Sequence, residues 1–222
     1  MKKYILYFLP LFLFSNQVLS QQVSFERLFP DSFKSEFYAT FQTQYTKGDL
    51  DNDGDIDLII MGYVGGYPRT TIYLNDGSGN FTVEGTLPPV SNGSIELGDI
   101  DGDGDLDCVL SGYFNWFTKW TRIMINDGNA NFSYSQNAVP NVDRSATVLG
   151  DVDGDNDLDL FITGKGENGN IHSELYLNDG TGIFVLDTSN LFEKLTISDA
   201  IFIDVDNDSD LDIINTGQNI SL

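Results

Sequence analysis

The sequence predicts an all-β chain of repeated four-stranded antiparallel blades, and three observations carry that reading. An aspartate-rich window recurs four times at near-equal spacing. A short Asn-Asp-Gly motif follows three of the windows at a near-constant distance. The segments between these markers are strand-length runs of apolar residues, some continuous and some alternating.

The windows are DLDNDGDID (Asp49 to Asp57), DIDGDGDLD (Asp99 to Asp107), DVDGDNDLD (Asp151 to Asp159) and DVDNDSDLD (Asp204 to Asp212), opening 50, 52 and 53 residues apart. The second motif, NDGSGNF from Asn75, NDGNANF from Asn126 and NDGTGIF from Asn178, lies 26 or 27 residues after the window opens. A period of this size with several short strands per unit indicates propeller blades or solenoid units.

Each unit reads as four strands. A lead-in strand such as SIEL or ATVL comes first, and the acidic loop follows. The second strand, LIIMG, CVLSG, LFITG or IINTG, is apolar on both faces and belongs inside a stack of sheets. The third strand alternates (TIYLN, RIMIN, ELYLN), and Asp-Gly then predicts a tight hairpin turn. The fourth opens with Phe81, Phe132 or Phe184, expected to pack on the next blade. Strand, loop, strand, hairpin, strand, turn, strand is one β-propeller blade. The units span about 46–96, 97–148, 149–201 and an incomplete 202–222. About four blades barely make the smallest ring, so residues 21–222 are expected to be an arc of a larger one, with 21–45 supplying a closing strand and the first lead-in strand. An open arc leaves an unpaired edge, which is an aggregation hazard.

The net charge of −23 is concentrated: twenty of the 34 acidic residues lie in the four windows. Two like charges 4 Å apart repel by about 1 kcal/mol in water and several times that in a partly buried loop. Loops packing five such charges need a cation, and the same field disfavours a nucleic-acid partner. The candidate ligands are Asp49, Asp51, Asp53, Asp55 and Asp57; Asp99, Asp101, Asp103, Asp105 and Asp107; Asp151, Asp153, Asp155, Asp157 and Asp159; and Asp204, Asp206, Asp208, Asp210 and Asp212. Ca²⁺ takes six to eight hard oxygens in a flexible shell. Side chains at window positions 1, 3, 5 and 9 and the backbone carbonyl of position 7 are assigned to it, giving up to four ions. Position 6 (Gly54, Gly104, Asn156, Ser209) must turn sharply. An EF-hand is excluded because its twelfth position would be Ile60 rather than Glu and strand-like runs flank the loop. Soft and imidazole ligands are absent from the windows, which disfavours transition metals, and Mg²⁺ is second choice because it prefers to keep its water.

The N-terminus, Met1-Lys2-Lys3 followed by the apolar run Tyr4 to Phe14 and by Val18-Leu19-Ser20, has the layout of a secretory signal peptide over residues 1–20, cut before Gln21. The run is too short to span a bilayer, which takes about 20 residues, so no membrane span is expected after cleavage. A single cysteine, Cys108, allows no intramolecular disulfide and reads as a buried apolar residue.

The acidic windows with their NDGxGxF turns resemble the FG-GAP/VCBS repeat family, which includes the calcium-binding blades of integrin α-subunit propellers. The resemblance covers Gly48 to the end of the chain. It implies a propeller, often seven-bladed, with Ca²⁺ in the strand 1–2 loops held by window positions 1, 3, 5, 7 and 9. Ser209 at position 6 and Ile203 where other units have Gly depart from the pattern and make the fourth site the least secure. The Phe-Gly element that names the family is not evident.

Hairpins place the strand 2–3 loops on the face opposite the acidic loops. Two of these loops are aromatic, GYVGGYP and GYFNWFTKW, so Tyr63, Tyr67, Trp116 and Trp120 are candidates for contacting an extracellular protein or glycan, against the alternative of packing on a neighbouring loop. The expected role is a secreted, calcium-binding propeller module for extracellular recognition or adhesion. The alternative is the propeller of a polysaccharide-degrading, lyase-like enzyme. The one histidine, His172, would have to serve any Ser-His-Asp triad alone, and no carboxylate pair outside the windows is singled out for glycoside chemistry.

Overall fold

The computed structural model describes residues 41–115, 117–136 and 138–219. The signal-peptide reading of residues 1–20 and the candidate Trp116 lie outside them. Within them the chain is all-β. Blade 1 comprises β1 (Phe41–Gly48), β2 (Asp57–Val64), β3 (Tyr67–Asn75) and β4 (Phe81–Leu87). Blade 2 comprises β5 (Ile95–Gly98), β6 (Asp107–Asn115), β7 (Thr118–Asn126) and β8 (Phe132–Ser135). Blade 3 comprises β9 (Val142–Gly150), β10 (Asp159–Gly166), β11 (Ile171–Asn178) and β12 (Phe184–Leu186). The fourth unit is the two-stranded β13 (Thr196–Ile203) and β14 (Asp212–Gln218). Each blade is an antiparallel meander in chain order. The first strands lie side by side, β1 against β5, β5 against β9 and β9 against β13. Among the described residues no helix is long and apolar enough to cross a membrane.

The core lies between blades rather than within one. Leu50, Ile59, Met61 and Ile72 of blade 1 meet Ile95, Cys108, Leu110 and Met124 of blade 2. Ile100, Val109 and Ile123 of blade 2 meet Val142, Leu160, Ile162 and Tyr176 of blade 3. The β6 run explains why the second strands are continuously apolar: Cys108 and Leu110 face back to blade 1, while Val109 between them faces blade 3. Cys108 is fully buried, and burial pushes its thiol pKa far up. The phenylalanines that open the fourth strands do the opposite of what the sequence suggested. Phe132 and Phe184 pack on the preceding blade. Strand parity is the reason: Phe132 pairs with Asn126 and so shares a face with Met124, which looks back to blade 1.

Two local features escaped the sequence reading. The NDG turns are five-residue connections, not two-residue hairpins, and they carry two left-handed residues each, such as Gly77 (φ 72°) and Gly79 (φ 82°). The lead-in strands also enter through a left-handed residue in every unit, namely Gln42, Asn92, Arg144 and Ile197 (φ 49–56°). Register shifts mark bulges at this point in three of the four pairings. The glycine of the second strand makes room for this entry: a Cβ on Gly112 would lie 2.4 Å from the Ser91 carbonyl oxygen, at φ 144°. Gly112→Ala should therefore destabilise the fold by on the order of 1–3 kcal/mol, read as a lower denaturant midpoint. A midpoint equal to wild type would show that the entry has slack.

Candidate metal centre

The four acidic windows are the loops joining strands 1 and 2 of each unit, β1–β2, β5–β6, β9–β10 and β13–β14. Their backbone passes twice through the left-handed region, at positions 4 and 6. Asn52 and Gly54, Gly102 and Gly104, Gly154 and Asn156, and Asn207 and Ser209 have φ between 59° and 96°. Glycine enters this region freely and asparagine tolerates it. The requirement at position 4 was not read from the sequence, although the recurrence of Asn or Gly there is its signal. Ser209 reaches φ 76°, so the fourth loop closes like the others despite its departure in sequence.

Carboxylates shape the loop by accepting backbone N–H groups. At position 1, Asp99 accepts from Gly102 and Gly104 at 2.9 and 3.0 Å, and Asp151 and Asp204 each accept from positions 4, 5 and 6. Asp49 accepts from Gly54 at 3.0 Å. At position 5, Asp53, Asp103, Asp155 and Asp208 accept the N–H of position 7 at 2.9–3.0 Å. At position 9, Asp57, Asp107 and Asp159 are fully buried. One oxygen of each accepts the N–H of position 2 (Leu50, Ile100, Val152) and the other accepts the N–H of Asn75, Asn126 or Asn178, all at 2.8–2.9 Å. Position 9 thus ties the loop to the NDG turn of its own blade. The position 7 side chains Asp55, Asp105 and Asp157 lie against that same turn. A Cβ on Gly77, Gly128 or Gly180 would come within 2.4–2.5 Å of their carboxylates, and the glycines also sit at φ 72–76°.

These bonds leave carboxylate oxygens gathered inside each loop. One oxygen each from Asp49, Asp51 and Asp53 lies within 4.8 Å of the others, and so do those of Asp99, Asp101 and Asp107, of Asp151, Asp153 and Asp159, and of Asp204, Asp206 and Asp212. Position 5 joins the group only in the first loop, and position 9 only in the other three. Asp49 Oδ1, Asp51 Oδ1 and Asp101 Oδ1 are buried without a hydrogen-bond partner. A buried carboxylate oxygen without a partner is costly, and an all-oxygen set of this kind fits Ca²⁺. Desolvation, followed by the charge of Asp53 or Asp103, raises the pKa of Asp51 and Asp101. Burial likewise raises Asp57 and Asp159, and it pushes Asp107 up to about 6, partly offset by its two backbone donors.

The aromatic candidates sit on the loops at the far ends of the second strands. Tyr67 is 77% exposed, at the tip of the Gly65-Gly66 hairpin. Tyr63 is half-buried beside Phe41. Trp120 is half-buried; Phe114 stacks on its ring at 3.7 Å and the Arg122 guanidinium lies 4.6 Å from its centroid, so the ring is engaged within its own blade. Phe117, which the sequence reading did not single out, is 93% exposed at the tip of the β6–β7 loop. His172 bonds Glu174 at 2.7 Å, and Glu174 also accepts from the Tyr176 hydroxyl. A buried ion pair was not foreseen either: Lys119 of blade 2 meets Asp143 of blade 3 at 2.7 Å and donates to the carbonyls of Lys165 and Gly166. Neither residue has a charged counterpart at the matching place in another unit, where Pro68 and Ile171, or Phe41, Ser91 and Thr196, stand.

A family model described as FG-GAP-like repeat matches residues 49–110 and 151–214. Each match opens on the first aspartate of one window and runs into the strand after the next, so the two matches take in all four loops. No curated protein matches the sequence.

The raised carboxylates give the metal-free chain a defined pH response. Their contribution to stability is complete below their ordinary pKa of 3.8 and is lost as pH rises through about 6 for Asp107. Thermal melts of resin-stripped protein should therefore show a higher Tm at pH 5 than at pH 7. A Tm that falls between pH 7 and pH 5 would contradict this.

Proposed function

Because the chain belongs to the FG-GAP-like repeat family, we propose that it is a secreted, calcium-stabilised β-propeller module that recognises a protein or glycan outside the cell. The observation that carries the metal part is the repetition of one loop geometry four times, each loop gathering three carboxylate oxygens. The side chains at positions 1, 3, 5 and 9 and the backbone at position 7 would hold the ion. When bound, Ca²⁺ neutralises carboxylates that otherwise repel and fastens strand 1 to strand 2. In this reading the ion is structural, and the recognition surface is the opposite end of the blades. There Tyr67 and Phe117 project from the strand 2–3 loops, and their exposed rings suit sugar stacking or protein contact. The N-terminal leader read from residues 1–20 supports an extracellular setting, where free calcium is abundant enough for weak sites.

Extracellular calcium sites bind at roughly 10⁻⁴–10⁻³ M. Ligand at about ten to a hundred times Kd adds about 1.4–2.7 kcal/mol per site. Several occupied sites should therefore raise Tm by about 10 °C or more for a chain of this size. Melting the chain in EGTA and in 10 mM CaCl₂ tests this, with 10 mM MgCl₂ expected to recover only a small part of the gain. Superimposable melts in EGTA and calcium would remove the metal role. For the recognition face, a glycan and protein-ligand array should lose its signal with Tyr67→Ala or Phe117→Ala while Tm stays unchanged. Retained binding by both variants would move the site elsewhere.

A further inference from the structure

The position 2 peptide of an acidic loop is held from two blades at once. The Leu50 N–H donates to Asp57 of its own blade, while the Leu50 carbonyl accepts from the Asn126 side chain (2.9 Å) and the Ala130 N–H (2.9 Å) of the next. Asn126 in turn gives its backbone N–H to Asp107, position 9 of the second loop. Asp107 also receives the Ile100 N–H, and the Ile100 carbonyl accepts from the Asn178 side chain at 2.7 Å. The Asn178 N–H reaches Asp159, position 9 of the third loop, which receives the Val152 N–H. One unbroken series of hydrogen bonds therefore runs from Asp57 through Leu50, Asn126, Asp107, Ile100, Asn178 and Asp159 to Val152. It alternates between the acidic loop of one blade and the NDG turn of the next, and most of its members are buried.

We infer that Asn126 and Asn178 are positioning residues for the metal loop of the preceding blade, and that they couple calcium binding in adjacent loops. This rests on the calcium reading above. A carboxylate at position 9 that is drawn into a metal shell must keep or shift its two N–H donors. One donor is the loop's own position 2 peptide, and the other is the backbone of the residue whose side chain holds the previous loop. Charge and position at one loop are thereby felt at the next, and hydrogen bonds in such a chain polarise one another. The coupling is reciprocal by thermodynamic necessity.

The repeats supply their own control. Asn75, Asn126 and Asn178 each donate to a carbonyl in their own blade at 3.2 Å (Ile56, Leu106, Leu158), but among the described residues Asn75 has no preceding acidic loop to hold. The two junctions are also unequal. Asn52, at position 4 of the first loop, donates to Asp105 at 2.7 Å and to the Gly128 carbonyl at 3.3 Å. Position 4 of the second loop is Gly102, which has no side chain to do the same. Loops 1 and 2 are therefore coupled more strongly than loops 2 and 3.

An NMR calcium titration of the full chain tests this, with the Gly104 and Gly154 amide signals reporting loops 2 and 3. Asp51→Asn, which cripples loop 1, should weaken binding at loop 2 by about fivefold or more, a typical coupling factor, and affect loop 3 less. Asn126→Ala should at least halve that effect, the Asn52 contacts carrying the remainder, and Asn75→Ala should leave it intact. Should Asn126→Ala not fold, the second junction reads the same kind of link with no counterpart of Asn52: Asp101→Asn should weaken calcium binding at loop 3, and Asn178→Ala should at least halve that effect. Unchanged calcium affinity at loop 2 in Asp51→Asn would overturn the coupling while leaving the metal reading in place. The coupling through these asparagines is equally overturned if the full effect persists in Asn126→Ala, or in Asn178→Ala at the second junction when that variant stands in. Glycine signals that do not respond to calcium at all in the wild-type chain would overturn both readings.

Discussion

Five carboxylates within nine residues repel one another, and a compact blade can carry that density only if each charge is answered locally. The structure shows one kind of answer and the place where it stops short. Backbone N–H groups meet the charges at positions 1, 5 and 9, and this requirement bends the loop through two left-handed residues so that its amides point inward. The remaining oxygens, at position 3 above all, converge without a donor. Amides alone therefore leave the loop incompletely neutralised, and in the proposed reading an oxygen-seeking divalent cation completes it.

The same residues that settle the charge also seat the blades. Leu50 and Ile100 bury their side chains in the two inter-blade cores, while their peptide groups carry the hydrogen bonds that join one acidic loop to the next turn. Apolar packing alone would allow neighbouring sheets to slide. A buried carbonyl matched to one asparagine does not, because leaving that group unpaired costs about 1–3 kcal/mol. The Lys119–Asp143 pair adds a second fixed point between blades 2 and 3, near the far end of the second strands. The junctions between blades 1 and 2 and between blades 2 and 3 are thus pinned at the acidic-loop end by a device that repeats, and the second of them is pinned at the other end by a device that does not.

Much of this was legible in the sequence, because period and chemistry coincide there. The windows gave the loops, the doubly apolar second strands gave the sandwiched position, and Asn-Asp-Gly located the strand 3–4 connections. What was not legible depends on parity and on distance across blades. Whether Phe132 faces backward or forward turns on its pairing with Asn126, which the run of residues alone does not fix. The asparagine of the NDG motif looked like a turn former, yet its side chain works 76 residues away, on Leu50. The left-handed entries at Gln42, Arg144 and Ile197 carry no common residue type and so leave no signal. Lys119 and Asp143 are single charges with no repeat to announce them.

The central claim is that the converging oxygens are metal ligands. Equilibrium dialysis of the resin-stripped chain against labelled calcium, with bound ion counted per molecule, tests it most directly. Saturable uptake approaching four ions per chain, falling by about one with Asp101→Asn, is the predicted result. Uptake that never rises above that of an unrelated acidic protein of equal net charge would contradict it.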